Sequence, residues 1–212
     1  MTPKAETLIL VPFAINGNMD HLIESAGKLA VKTGASLKFL HVIEPFHISF
    51  GSENIDSQTA DVMEREHIRI AEAAFRHAKK ILPVEVSAVM SYTISKNVPE
   101  AILKDAAAES AVMIVCGVAN ISHKYLPEGM STVLSLMANS PVPVMAVPQA
   151  ALFLAKKDVF NILIADDLLA AGLSAARFAF MWAVNVKHAK VYHLHVNRMQ
   201  EAEYIATFFT SY

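Results

Sequence analysis

The chain has 212 residues, of which 54% are hydrophobic and 18% charged, and its net charge is −2 with a pI of about 6.5. This balance gives no general attraction to nucleic acid or to an anionic membrane, so we expect neither as a partner. The single cysteine, Cys116, excludes a disulfide framework, disfavours a thiolate metal site and predicts a reducing, cytoplasmic compartment.

The first elements follow one another as strand, helix, strand and helix. Residues 7–12, "TLILVP", form a continuous apolar run that predicts a strand buried on both faces. An apolar helical face follows over residues 22–30, and Gly34 ends this helix. "SLKFLHVI" predicts a second strand, and residues 59–82 predict a long helix. The apolar stripe of that helix comprises Met63, Ile70, Ala74, Ala78 and Ile81.

The same alternation continues to residue 148. "VEVSAVMSY" predicts a strand, and the next helix has a start signature in which Asn97 caps, Pro99 lies in the first turn and Glu100 reaches back. "AVMIVCG" is a buried strand, "MSTVLSLMANS" a short helix and "PVPVMAVP" a last strand. Pro143 places this last strand at a sheet edge, because proline cannot donate to a ladder.

Residues 7–148 therefore predict the order β-α-β-α-β-α-β-α-β. Such alternation predicts an α/β fold with a doubly wound, open, parallel five-stranded sheet and helices on both faces. No uninterrupted apolar run reaches the roughly 18–20 residues that span a membrane. The positive mean hydropathy of +0.37 is therefore attributed to a buried sheet.

An internal repeat begins after the first domain. "ILVPFAIN" at 9–16 matches "ILIADDLL" at 162–169, and residues 29–42 match residues 182–196 with one insertion, an offset of about 153 residues. We therefore expect one domain over 1–150 and a partial second copy over 151–212, made of β-α-β and the start of another helix. This incompleteness suggests either a fragment of a longer tandem protein or a decayed copy.

The loop between the fourth strand and the fourth helix has features of a phosphate site. Backbone N–H groups at a helix start bind phosphate oxygens, and glycine lets the backbone approach them. Gly117, Gly129, Ser131 and Thr132 fit this pattern. The same residues also suit a plain connection, in which Gly117 turns the chain and Ser131 caps the helix.

The order of these segments resembles the universal stress protein family. The segments that carry the resemblance are "LILVPFAIN", "LKFLHV", "NVPEAIL", "VMIVCG", the loop from Gly117 and "SPVPVMAVP". The resemblance covers residues 7–148 as a whole domain and 160–210 as the front of a second. It implies a fold like that of the adenine nucleotide alpha hydrolases and a role in stress response.

The family's nucleotide-binding members resemble one another in a loop of the form G-x2-G-x9-G-[ST]. Gly117 matches the first glycine, whereas Asn120 stands at the second and Met130 at the third. Ser131 matches the Ser/Thr position, and Gly129 lies one residue early. The bulk of Asn120 and Met130 is expected to hinder the approach of phosphates.

The resemblance also implies positions on the adenine side of the site. Pro12 and Val42 match its wall, and Ala14 stands where these members have an acidic residue. A missing hydrogen bond costs about 0.5–1.5 kcal/mol. Two or three such losses weaken binding roughly 10- to 1000-fold, so ATP or AMP is expected with reduced affinity. In the second copy Asp167 occupies the acidic position, but the matching loop is absent from this sequence.

Other groups of residues give little support for a metal-binding or catalytic site. His193 and His195 have a zinc-compatible spacing without a third ligand, and a histidine satisfied by hydrogen bonds at a sheet end is the simpler interpretation. Ser122 and His123 are too close in sequence to form a nucleophile and its base. We therefore assign no catalytic residue and no metal ligand, and interpret Cys116 as an inert small hydrophobe.

The function favoured by the sequence is a cytoplasmic stress-response protein with a degenerate nucleotide site that acts by binding and oligomerisation. A homodimer is expected through the last strand of the first domain or through the incomplete second copy. One alternative is an ATP-binding, slowly hydrolysing switch that uses Gly117, Ser131, Thr132 and Val42. Another is a small-molecule carrier that uses the same crevice, because a fold does not determine its ligand.

Overall fold

The computed structural model describes residues 7–15, 19–45, 57–118, 130–148, 160–166, 170–185, 189–198 and 204–210. The chain divides into two compact units, Met1–Phe153 and Leu154–Tyr212. Among the helices of these described ranges, none combines the length and the apolar character that a membrane span requires.

The first unit alternates strands and helices as the sequence predicts. Its elements are β1 (Leu8–Pro12), α1 (Asp20–Thr33), β2 (Ser36–Ile43), α2 (Ser57–Ile81), β3 (Ala88–Ile94), α3 (Val98–Ala108), β4 (Met113–Val118), α4 (Met130–Asn139) and β5 (Val144–Pro148). The five strands form one sheet in the order β3-β2-β1-β4-β5, and all four strand pairs are parallel. The predicted doubly wound sheet is thus confirmed, with β5 at an edge and Pro143 just before it.

Helices cover both faces of this sheet, as the alternation along β2 makes visible. The ring of Phe39 lies 5.8 Å from that of Phe75 in α2. On the opposite face, Leu40 belongs to a buried cluster with Ile102 of α3. Because neighbouring residues of a strand face opposite ways, α2 and α3 lie on opposite sides of the sheet. Burial on both faces explains why β1 and β4 are continuous apolar runs.

Two helix ends are built as the sequence predicts. Gly34 has a φ of 67°, and this left-handed conformation lets its N–H bond to the carbonyl of Ala30. At the start of α3, the side chain of Asn97 accepts a hydrogen bond of 3.2 Å from the N–H of Glu100. The carboxylate of Glu100 accepts a hydrogen bond of 3.0 Å from the side-chain Nδ2 of Asn97. In the usual capping box it would accept from the backbone N–H instead.

The predicted apolar stripe of α2 is confirmed except at Ile70: Ala78 is buried, and Met63, Ala74 and Ile81 are half-buried. Ile70 is exposed, and Ala71 is buried in its place. Alanine lets a helix approach a sheet closely, and Phe75 then fills the neighbouring space against Phe39. Hydrophobicity alone predicted that the large Ile70 is buried, whereas the close packing of α2 on the sheet favours burial of the small Ala71.

The second unit contains β6 (Phe160–Asp166), α5 (Ala170–Asn185), β7 (Ala189–Arg198) and β8 (Tyr204–Thr210). Strands β6 and β7 are parallel, and β8 pairs with β7 in the antiparallel direction. The prediction that a helix starts after β7 is therefore wrong for 204–210. Their sequence, "YIATFFT", is aromatic and β-branched, which favours a strand once β7 offers a partner.

Candidate functional site

The strand order brings the candidate site residues to one edge of the first sheet. β1 lies between β2 and β4, and Pro12, Val42 and Gly117 occupy the carboxyl-terminal ends of these three parallel strands. From β1 the sheet grows on one side through β2 and β3, and on the other side through β4 and β5. The strand order therefore reverses between β1 and β4. In open α/β sheets, ligands bind outside the carboxyl ends at such a switch point.

The backbone that leaves β1 is fixed against β2 by two hydrogen bonds. The N–H of Phe13 donates to the carbonyl of Leu40 at 3.0 Å. Nδ1 of His41 lies 3.1 Å from the carbonyl oxygen of Phe13 and donates to it. Phe13 is buried, and the next residue, Ala14, is exposed. Ala14, which the sequence resemblance aligns with the family's acidic residue, therefore presents a methyl group to solvent.

His41 is buried beside this exit from β1. Because Nδ1 donates to the carbonyl of Phe13, Nε2 carries a lone pair, and within the described residues it has no hydrogen-bond partner. Burial lowers the pKa of His41, and the neighbouring His67 of α2 lowers it further, against the raising effect of the bond to Phe13. Within the described residues, His41 is thus hydrogen-bonded at Nδ1 and not at Nε2.

Gly117 lies near the end of β4 and is exposed. Of the glycines in the described ranges, Gly34 is the one with a positive φ, so the backbone at Gly117 accepts any residue. Among the described residues, a Cβ at Gly117 would contact Leu22 alone, 3.6 Å from its Cδ2. Neither its backbone conformation nor its packing against the described residues therefore requires a glycine at this position.

The first turn of α4 contains Met130, Ser131 and Thr132. The turn carries no acidic residue, and Thr132 is half-buried. Val42 is also half-buried and packs against the cluster of Leu40 and Ile102. Asn120 and Gly129, together with the side chain of Ser131, lie outside the described residues. The arrangement of the phosphate side therefore stays a prediction.

Cys116 lies beside Gly117 and faces the core. Burial raises the pKa of its thiol to about 11, so the thiol is protonated at neutral pH. This confirms the prediction of an inert residue. In the described ranges, no three His, Cys, Asp or Glu side chains group as metal ligands would. Asp167, Ser122, His123 and the side chains of His193 and His195 lie outside those ranges.

Sequence reasoning missed an ionic cluster between β2 and α3. Nζ of Lys38 lies 2.9 Å from Oδ1 of Asp105 and 2.9 Å from Oε1 of Glu109. Burial lowers the pKa of Lys38, but its hydrogen bonds to both carboxylates outweigh burial, and the net pKa is raised. The sequence signal for this cluster was a lysine within the mostly apolar β2, together with two acidic residues, Asp105 and Glu109, four positions apart at the end of α3.

Comparisons with known proteins agree with this fold. The model of the universal stress protein family matches residues 7–148. The universal stress protein UspA from Lactobacillus plantarum is 19% identical with a TM-score of 0.52, covering 68% of this chain and 99% of its own. One from Archaeoglobus fulgidus is 18% identical with a TM-score of 0.51, covering 66% of this chain and 98% of its own.

A third structure, from Burkholderia pseudomallei, is a protein from the universal stress protein family. It is 21% identical with a TM-score of 0.50, covering 69% of this chain and 99% of its own. No significant match was found among curated proteins. The family model spans the complete five-stranded unit, and the chain belongs to the universal stress protein family.

Proposed function

We propose that the crevice at the ends of β1, β2 and β4 binds an adenine nucleotide with reduced affinity. The observation that carries this proposal is Gly117, an exposed glycine that neither its backbone conformation nor its contacts with the described residues require. A glycine at the carboxyl end of a strand lets a ligand approach the main chain closely. Close approach of a ligand would explain why a glycine stands at position 117, which the described part of the chain does not explain.

The reduced affinity follows from the residues around this glycine. Ala14 offers no hydrogen-bond acceptor where the family's nucleotide-binding members have an acidic residue. Met130 begins α4 in place of a glycine. Each lost contact costs about 0.5–1.5 kcal/mol, and together these losses correspond to roughly 10- to 1000-fold weaker binding.

The same neighbourhood favours binding over catalysis. The thiol of Cys116 is protonated and buried, and His41 faces α2 with Nδ1 held by the carbonyl of Phe13. Neither side chain is placed to act as nucleophile or base toward a ligand at Gly117. We therefore assign the protein a cytoplasmic stress-response role through ligand binding and assembly, with no catalytic residue.

Nucleotide titration of two variants tests the site. Gly117→Ala is expected to keep the melting temperature, because its Cβ makes an ordinary contact with Leu22, and to weaken AMP and ATP binding about tenfold or more. Ala14→Asp is expected to strengthen binding about 2- to 10-fold through a restored hydrogen bond. Calorimetric titration with and without Mg²⁺ measures both.

Ala73→Asp is the matched control, since it adds the same charge on the exposed side of α2. It should leave affinity unchanged. Absence of any binding at millimolar nucleotide, together with no gain in Ala14→Asp, would refute the proposal. Recovery of another small molecule from the denatured protein would favour the carrier alternative.

Assembly is proposed to use the edge strand β5. Leu134 and Met137 lie three residues apart and are exposed on α4, a helix that contacts the edge strand β5. An exposed edge with adjacent apolar residues favours pairing with another copy. Leu134→Lys is expected to lower the mass in sedimentation without lowering the melting temperature. An unchanged mass would argue against this interface.

A further inference from the structure

The first sheet has a second edge strand, β3, whose composition differs from that of β5. Among the strands that the structure describes, β3 pairs with β2 alone. Its sequence, "AVMSYTI", contains no charged residue and no proline, and its register with β2 is continuous from end to end. Natural edge strands usually carry a lysine, a proline or a bulge that prevents pairing. β3 lacks all three of these features.

The hydrogen bonds between β3 and β2 determine which backbone groups of β3 remain open. The N–H of Leu37 donates to the carbonyl of Ser87 at 2.9 Å, and the N–H of Ser95 donates to the carbonyl of Ile43 at 3.0 Å. Successive residues of a strand direct their backbone groups to opposite sides, so the odd-numbered residues from 87 to 95 bond to β2. The residues that present N–H and C=O groups at the edge are Ala88, Met90, Tyr92 and Ile94.

Apolar side chains are exposed on both faces of this edge. Tyr92 is 48% exposed and Ile94 is 47% exposed, and both lie on the face that α2 covers, because Tyr92 is in register with His41. On the opposite face, Val89 is 55% exposed. Aromatic and β-branched residues are the ones that cross-strand pairs favour. The edge therefore offers both open backbone groups and apolar surface to another strand.

Opposite charges stand at the two ends of this uncharged strand. Glu85 precedes β3 and Lys96 follows it, and both are exposed. The strand between them is about 23 Å long, so the two side chains cannot form an ion pair within one chain. The ion pairs of the described residues include neither of them. The edge thus carries one charge of each sign at opposite ends.

We propose that this edge binds a second copy of the chain, with the two β3 strands antiparallel. In that direction Glu85 of each copy approaches Lys96 of the other, whereas a parallel pair would place like charges side by side. The charge pattern is therefore its own complement, and a second copy fits it. Exposed ion pairs contribute little affinity but favour one orientation, so the affinity comes from the backbone and apolar contacts.

The register follows from the open backbone groups. A twofold axis perpendicular to the sheet and through Ser91 places Ala88 opposite Ile94 and Met90 opposite Tyr92. All four residues with open groups then form hydrogen-bonded pairs. The small Ser91 lies on the axis, in a pair without hydrogen bonds, where opposing side chains come closest.

This interface is separate from β5 and does not depend on nucleotide binding. Sedimentation of the full chain in a Leu134→Lys background, which is expected to remove association through β5, should show a dimer of twice 23.1 kDa. Adding Tyr92→Lys should convert this dimer to monomer, because the interface would bury an unpaired charge. A chain that is monomeric in the Leu134→Lys background at all concentrations would overturn the proposal, as would a dimer that Tyr92→Lys does not dissociate.

Val112→Lys is the matched control, because it adds the same charge at an exposed apolar residue just before β4, which β1 and β2 separate from β3. It should leave the dimer intact. Dissociation by Val112→Lys equal to that by Tyr92→Lys would contradict a specific interface at β3.

Charge reversal at the strand ends tests the antiparallel direction with little risk to folding, because both residues are exposed. Glu85→Lys and Lys96→Glu should each raise the dissociation constant of the dimer severalfold at low ionic strength, since each places like charges together. The double variant, Glu85→Lys with Lys96→Glu, should restore the dissociation constant, because the charges are again complementary. Single and double variants with equal dissociation constants would contradict the antiparallel pairing of β3.

Discussion

At the residue scale, His41 connects the site to the core of the first unit. Its Nδ1 holds the carbonyl of Phe13, and its ring stacks near that of Phe13 with centroids 5.4 Å apart. The neutral ring suits this buried position, because a protonated Nε2 would be a charge without a partner among the described residues. The sequence showed a histidine in an apolar strand, but which nitrogen would be satisfied depended on a carbonyl 28 residues away.

The lowered pKa of His41 predicts a loss of stability at acidic pH. As pH falls below about 6.5, the unfolded chain binds a proton at His41 that the folded chain binds less readily. The free energy of unfolding therefore decreases until the pH reaches the folded pKa. Urea denaturation of the wild type and of His41→Gln between pH 7.5 and 5 should give a shallower pH dependence for the variant.

Glutamine keeps a donor for the carbonyl of Phe13 and removes the titrating ring. Val84→Ala, which retains His41, should follow the wild type. Parallel pH dependences for wild type and His41→Gln would contradict this role of burial.

At the element scale, local patterns specified most of the first unit, because each element was encoded by its own residues. The continuous apolar strands, Gly34 after α1 and Asn97 before α3 each determine structure within a few positions. The errors arose where distant packing decides. Ala71 replaced Ile70 on the buried side of α2, and β8 formed through its pairing with β7.

The cap of α3 gives a prediction at this scale. Asn97→Ala removes the acceptor for the N–H of Glu100 and should lower the free energy of unfolding by about 0.5–2 kcal/mol. Asn97→Ser keeps an acceptor at the cap without placing a second carboxylate beside Glu100, and should cost much less. Urea denaturation compares the two, and equal losses would mean that the cap contributes little.

At the scale of the whole molecule, the sequence predicted the structure of the first unit more completely than that of the second. The parallel sheet placed Pro12, Val42 and Gly117 at one edge, as strand order alone requires. The functional assignment of Ala14, Asn120 and Ser131 came from resemblance to a family, because no local pattern marks an absent carboxylate. The exposed Leu163 was not predicted, since its burial depends on elements that pair with β6 rather than on its own neighbours.

Division into two units predicts that residues 1–153 fold alone. A chain of these residues contains the complete five-stranded sheet and the candidate crevice. It should retain the nucleotide affinity of the full chain and the assembly through β5 that Leu134→Lys is expected to lower. Calorimetric titration and sedimentation measure these two properties, and a 1–153 chain that fails to fold cooperatively would contradict the division.

The close contact at Gly27 has a consequence for folding if the second unit repeats the first, as the sequence predicts. Similar repeats on one chain are prone to misassembly, in which an element of one repeat enters the other. The offset of 153 residues aligns Gly27 with Phe180 of α5, and a Cβ at Gly27 would already lie 2.9 Å from Cδ2 of Leu82 and 3.0 Å from Cδ of Pro83. We therefore expect α5 to fit poorly in the place of α1 on the first sheet. One small residue would then make the helices of the two units non-interchangeable during folding.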